Sequence, residues 1–201
     1  MQEIFTQEEE VHKDLPNGQL SFYRNFLSKG KADFYYNKIY HETCWKEDKI
    51  TVFGKTYDQP RLTSLHALHS KPYKYSNITL HPNPMTTELE TILENIQAVN
   101  PKDFNAVLLN LYRSGKDSNG WHADNEPELG KNPVIASISL GEERYFHLKH
   151  RQHKEQRFKI KLTHGSLLVM KGEMQHYWLH QIPKTTKKIN ERINLTFRKI
   201  H

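Results

Sequence analysis

The stretch RINLTFR, Arg192 to Arg198, decides how the C-terminal half of the chain is read. Successive side chains of a β-strand point to opposite faces, so Arg192, Asn194, Thr196 and Arg198 share one face while Ile193, Leu195 and Phe197 share the other. One reading is a half-buried strand whose polar face meets water. The other is that two guanidiniums on one face await a partner bearing two carboxylates, because a guanidinium binds a carboxylate as a planar, bidentate fork. Alternation alone leaves both open.

The same period of two runs upstream through AVLLNLYR (Ala106–Arg113), VIASISL (Val134–Leu140), RYFHL (Arg144–Leu148), RFKIKL (Arg157–Leu162), SLLVM (Ser166–Met170) and HYWLHQI (His176–Ile182). Turn residues separate these runs, as at Ser118-Asn119-Gly120, His164-Gly165 and Lys171-Gly172. Earlier in the chain the period lengthens. Ala32, Tyr35, Tyr36, Ile39 and Tyr40 recur at helical spacing, and Leu89, Ile92, Leu93, Ile96 and Val99 make a second apolar stripe that Thr87 and Glu90 open as a capping box. Helices followed by short strands imply an α+β domain, with helices backing an antiparallel sandwich or jelly roll. Residues 1–18 are polar and acidic and end in Pro-Asn-Gly, which predicts a loosely held leader before one domain over 19–201.

The 201 residues are enough for a real core, and 11% aromatics argue against disorder despite a mean hydropathy of −0.82. No apolar run approaches the roughly 18 residues of a membrane span, and no secretory signal is recognised. The single cysteine, Cys44, has no partner for an internal disulfide and is read as a buried thiol on a helix. These features predict an intracellular protein, of a bacterial cytoplasm or a eukaryotic nucleus, with no membrane partner and a monomeric state. A net charge of +6 favours a polyanionic partner. Lys149–Lys161 concentrates that charge, with six Lys or Arg against one Glu, which predicts phosphate contact or a charged, soluble hairpin edge.

A second stretch, GWHADNEPEL (Gly120–Leu129), places His122 and Asp124 two apart, on one side of an extended segment. An imidazole and a carboxylate so held are two of the three ligands of a facial triad that binds Fe(II) and leaves positions open. The third is sought among His147, His150, His153, His164, His176 and His180. His150 and His153 belong to the basic stretch, where solvent or phosphate contact is expected. His180 sits before an Ile-Pro turn, where a strand end can meet the His122–Asp124 segment.

The order H-x-D, then His, then R-x-N-x-T-x-R resembles the AlkB family of Fe(II)- and 2-oxoglutarate-dependent dioxygenases, which demethylate nucleic-acid bases. The likeness runs from about Phe53 to Ile200 and includes NLY (Asn110–Tyr112), IASISLGEERYF (Ile135–Phe146), HGSLLVM (His164–Met170) and WLHQIP (Trp178–Pro183). It implies a double-stranded β-helix, or jelly roll, over about 104–200, with nucleotide recognition at about 50–80. It also implies Fe(II) on His122, Asp124 and His180, with 2-oxoglutarate and O₂ as cosubstrates. Arg192 and Tyr112 then hold the C5 carboxylate of 2-oxoglutarate, Arg198 and Asn110 face its C1 end, and Asn194 assists. By the same resemblance Phe53 wedges into a duplex, Tyr75 stacks on a flipped base beside Tyr73, Arg61 touches phosphate or base, and Glu126 meets an exocyclic amine. The implied reaction demethylates 1-methyladenine or 3-methylcytosine in DNA, duplex favoured over single strand. An RNA demethylase, or an inactive binding module, is the alternative.

Overall fold

A computed structural model gives the three-dimensional structure. It describes residues 1–3, 10–52, 55–75 and 78–201, with the backbone alone described at 50–52, 55–56, 74–75 and 78. The N-terminal part contains β1 (Gln2–Glu3), β2 (Glu10–Leu15), β3 (Gly18–Tyr23), α1 (Lys29–Glu42), β4 (Lys49–Val52), β5 (Lys55–Asp58) and β6 (Leu62–Ala67). There follow β7 (Tyr73–Tyr75), β8 (Ile78–Leu80), β9 (Asn83–Pro84), α2 (Thr87–Val99), β10 (Ala106–Tyr112) and β11 (Asn119–His122). The C-terminal part contains β12 (Ile135–Gly141), β13 (Arg144–His150), β14 (Arg157–Leu162), β15 (Ser166–Lys171), α3 (Met174–Tyr177), β16 (Trp178–Ile182) and β17 (Arg192–Arg198).

Among the described residues one sheet runs β2-β3-β15-β12-β17-β10-β6-β9 and a second runs β1-β14-β13-β16-β11. Leu108, Ile135, Leu168 and Met170 of the first sheet pack with Phe146, Leu148 and Ile160 of the second, forming the layer between them. The other face of the first sheet, carrying Val107, Leu109, Ile138, Val169, Ile193, Leu195 and Phe197, is covered by Ala32, Tyr35 and Ile39 of α1 and the Leu89, Ile92, Leu93 and Ile96 stripe of α2. This is the jelly roll backed by helices that the sequence pattern predicts. Its α1 seat depends on Gly141, whose φ of 83° suits glycine and whose absent side chain leaves room for the Tyr36 ring and the Glu191 carbonyl.

β17 sits between β10 and β12, and all seven of its residues are buried. The half-exposed strand that alternation permits is therefore excluded. Its apolar face seals the helix layer, and its polar face looks into the space between the sheets.

Several local expectations are corrected. Residues 10–18, expected within a loosely held leader, form a hairpin with β3 in which Leu15 pairs with Gly18. Asn17 turns it at φ 57°, a conformation asparagine tolerates, and Trp178 Nε1–H donates to the Pro16 carbonyl at 2.8 Å. Leu15 and Val11 join the inter-sheet core, which holds this polar edge strand down. The α2 cap is Thr86 rather than Thr87, its hydroxyl accepting from the Leu89 amide at 3.4 Å. Cys44 lies beyond the end of α1 and is exposed, so it is not a buried thiol. His176 falls on α3, not on the strand of His180, because the chain makes one helical turn before β16 begins. No helix among the described residues is long and apolar enough to cross a membrane.

The hairpin carries a prediction. Hydrogen–deuterium exchange should show amides of residues 10–15 protected alongside those of β3; exchange at unstructured-peptide rates would overturn the β2–β3 pairing.

Candidate metal and cosubstrate centre

β11 and β16 run antiparallel with His122 opposite His180, and their ring centroids are 4.2 Å apart. Asp124 follows two residues on, its carboxylate Oδ2 3.7 Å from His180 Nε2. One ligand atom from each of the three residues falls within 4.8 Å of the others, close enough for one ion. Two imidazoles and one carboxylate on a common point are the donor set of an open ferrous site.

The neighbours hold these groups ready. His122 Nδ1 lies 2.7 Å from the Gly120 carbonyl, which can only accept, so Nδ1 carries the proton and Nε2 is left for a metal. Phe146 stacks on His180 at 5.1 Å, and the buried Gln175 accepts from the Asp124 amide at 2.9 Å. Burial pushes His180 down to about 3, with His122 and Arg198 adding to the effect, and burial likewise lowers His122. Burial would raise Asp124, but the charge of the neighbouring Arg198 guanidinium outweighs it and holds the carboxyl below its usual range. Neutral imidazoles and an ionised carboxylate are the protonation states that metal ligation needs.

The cavity beside the triad is lined by the polar face of β17 and by Asn110 and Tyr112 of β10. Register places Arg192 opposite Tyr112 and Asn194 opposite Asn110. Arg192 is 1% exposed; its Nη2 donates to Ser139 Oγ at 2.9 Å, whereas Nε and Nη1 are buried without a hydrogen-bond partner among the described residues. Its guanidinium lies 5.3 Å from the Tyr112 ring centroid, with Arg144 5.8 Å from the same ring. Desolvation pushes Arg192 down to about 10; Tyr112 works against that shift, Arg144 adds to it, and no carboxylate among the described residues offsets it. A buried cation without a counter-charge is costly, so the site is built to receive an anion. That orphaned fork suits one end of a dicarboxylate, and the metal triad suits the other.

Arg198 donates to the Tyr73 hydroxyl at 2.8 Å and lies 3.7 Å from Asp124 Oδ1. It thus stabilises the ionised form of a residue placed to ligate a metal. The Asn194 carboxamide is committed within the sheet: Nδ2 donates to Ser137 Oγ at 2.7 Å and to the Ile138 carbonyl at 3.0 Å, and Oδ1 accepts from Thr196 at 2.9 Å.

The expected nucleic-acid contacts fare differently. Arg61 is corrected: it is 3% exposed, and its Nε donates to Asn110 Oδ1 at 2.7 Å while Nη1 reaches the Ser118 carbonyl. With Oδ1 so engaged, the NH₂ group is the part of the Asn110 carboxamide left to bind a ligand in the cavity that the residue lines. Tyr73 is wholly buried as the partner of Arg198, not an open contact for a base. Glu126 lies near Asp124 and Tyr73, with one carboxylate oxygen buried and without a hydrogen-bond partner among the described residues; burial and the neighbouring Asp124 charge raise its pKa. Phe53 lies outside the described residues, as does the Tyr75 side chain. His150, expected at solvent, is buried with its ring 5.0 Å from Trp178. Ser137, Ser139, Phe146 and Gln175 went unrecognised in the sequence. For the serines a signal existed, because they alternate in IASISL as the arginines do in RINLTFR.

The family model of the 2OG-Fe(II) oxygenase superfamily matches residues 19–198. The human alpha-ketoglutarate-dependent dioxygenase alkB homolog 3 is 38% identical over 192 residues, which cover 91% of this chain and 66% of that protein. The human DNA oxidative demethylase ALKBH2 is 33% identical over 188 residues, covering 89% of this chain and 72% of that protein. The chain thus spans slightly under two thirds of the length of the homolog 3 proteins it matches. The solved structure of OsALKBH1 superposes with a TM-score of 0.64 at 17% identity, over 94% of this chain and all of that one, a likeness of fold. With the triad, the buried arginine fork and the jelly roll in agreement, the chain belongs to the AlkB family of 2OG-Fe(II) oxygenases.

Proposed function

We propose that this protein is an oxidative demethylase of N-alkylated nucleic-acid bases, with 1-methyladenine and 3-methylcytosine in DNA as its substrates. The observation that carries the reading is the buried Arg192 fork, unpartnered at Nε and Nη1, opening on the cavity of a His-Asp-His triad. His122, Asp124 and His180 would hold Fe(II), and Arg192 with Tyr112 would receive the C5 carboxylate of 2-oxoglutarate. Asn110, oriented by Arg61, offers its NH₂ at the C1 end. Bound Fe(II) with 2-oxoglutarate and O₂ would supply the oxidising chemistry by which an N-methyl group leaves as formaldehyde, with succinate and CO₂ as co-products.

The rest is the work of side chains. Arg198 keeps Asp124 ionised, and Phe146 shields the His180 ring from water. Glu126, with its unpartnered oxygen, suits the exocyclic amine of a cationic methylated base, which donates hydrogen bonds and carries positive charge. Arg151, Lys154 and Arg157 stand exposed on the β13–β14 hairpin and suit backbone phosphates. Phe53 is taken as the residue that fills the stack a flipped base vacates. The names of the homolog 3 and ALKBH2 relatives support the class of reaction; the choice of DNA over RNA rests on the resemblance of the Phe53 segment to duplex-acting members.

Two measurements test this. Oligonucleotides bearing 1-methyladenine, incubated with protein, Fe(II) and 2-oxoglutarate, should lose one methylene by mass spectrometry in DNA and release formaldehyde, and Asp124→Ala should abolish both. Conversion confined to RNA would overturn the substrate, and no conversion the reaction. Arg192→Met removes an uncompensated buried charge at similar volume, so the variant should unfold at least as high in temperature as the parent. 2-Oxoglutarate with a metal at 100 times its dissociation constant should stabilise the parent by about 2.7 kcal/mol and the variant not at all. A variant that is less stable yet still stabilised by 2-oxoglutarate would remove Arg192 from the site.

A further inference from the structure

Asn119 opens β11 and shares a turn with Gly120, a position that sequence alone assigns to a loop. In a regular strand, residues three apart face opposite ways. Here Asn119 pairs with Ile182 and His122 with His180, so three steps along β11 match two along β16. The extra residue is a bulge, and it turns the Asn119 side chain to the same side as His122. Both line the cavity that Tyr112 and Arg192 also line.

The consequence is a specific hydrogen bond. Because the Gly120 carbonyl fixes the His122 proton on Nδ1, Nε2 of the neutral ring has only a lone pair to offer. Asn119 Nδ2 lies 3.0 Å from that atom and therefore donates to it. The lone pair so occupied is the one a metal needs, since His122 Nδ1 is turned to the backbone.

We propose that Asn119 is a positioning residue that caps the metal-binding nitrogen of His122 and lowers the affinity of the empty centre for its ion. A metal entering the triad must first displace the carboxamide. The Gly120 carbonyl holds the His122 ring, and the cap on its other nitrogen makes metal capture compete with an existing bond. The inference rests on reading the triad as a metal centre.

Cobalt(II) alone, titrated anaerobically into metal-free protein and followed by its visible absorption, tests it. A net hydrogen bond of ordinary strength corresponds to about two- to tenfold in a binding constant. Asn119→Leu, which keeps the volume, and Asn119→Ala, which does not, should both bind cobalt(II) tighter by that factor. In metal-free protein the ¹⁵N resonance of His122 Nε2 should move in both variants as its donor is lost. Damage to the fold would weaken binding, so the direction separates capping from packing. Equal or weaker cobalt(II) affinity in both variants, with an unmoved resonance, overturns the proposal while the parent still binds. A parent that takes up no cobalt(II) overturns the metal-centre reading and this inference with it.

Discussion

Two guanidiniums lie between the sheets of this jelly roll, on a strand with no solvent-facing side. A layer of Leu, Ile and Phe side chains offers them a low dielectric, where a charge persists only if something answers it. Arg198 is answered from within by Asp124 and the Tyr73 hydroxyl, and that pairing keeps a metal ligand ionised. Arg192 has Ser139 and the face of the Tyr112 ring but, among the described residues, no carboxylate, and two of its nitrogens have no hydrogen-bond partner there. The architecture around it amounts to a dry, rigid slot for a ligand anion.

Rigidity comes from the way the polar stripe is embedded. The apolar face of β17 is clamped by α1 and α2, and its polar face is braced by Asn194, Ser137, Thr196 and Ser139 through short hydrogen bonds. Arg144 ties the loops that flank the centre, its guanidinium donating to the Asp117 and Pro183 carbonyls at 3.2 Å and 2.6 Å. The first of those loops leads into β11 with His122 and the second follows β16 with His180. Ligands on separate strands thus keep their spacing without a metal to impose it.

Period-two alternation revealed the strands, and helical stripes revealed α1 and α2, because both signals are local and each element buries one face. The centre was legible only through the resemblance to the AlkB family, because H-x-D and R-x-N-x-T-x-R taken alone leave a chance tripeptide and a solvated strand face open. What misled was depth. The resemblance put Arg61 and Tyr73 beside the substrate, yet each is buried and hydrogen-bonded to another residue, Asn110 or Arg198. The leader read as loose because its composition is polar, which says nothing about an edge strand held by two apolar residues and a tryptophan hydrogen bond.

By itself the sequence determined the α+β class, the strand and helix order, and the residue types able to hold a metal and a diacid. Only the tertiary structure decided that both faces of β17 are buried, that Arg198 meets a carboxylate while Arg192 meets none among the described residues, and that a bulge swings Asn119 onto His122. Alternation reports which side chains share a face. What packs over that face, and which charges meet there, depends on strands remote in the chain, and a single segment carries no record of them.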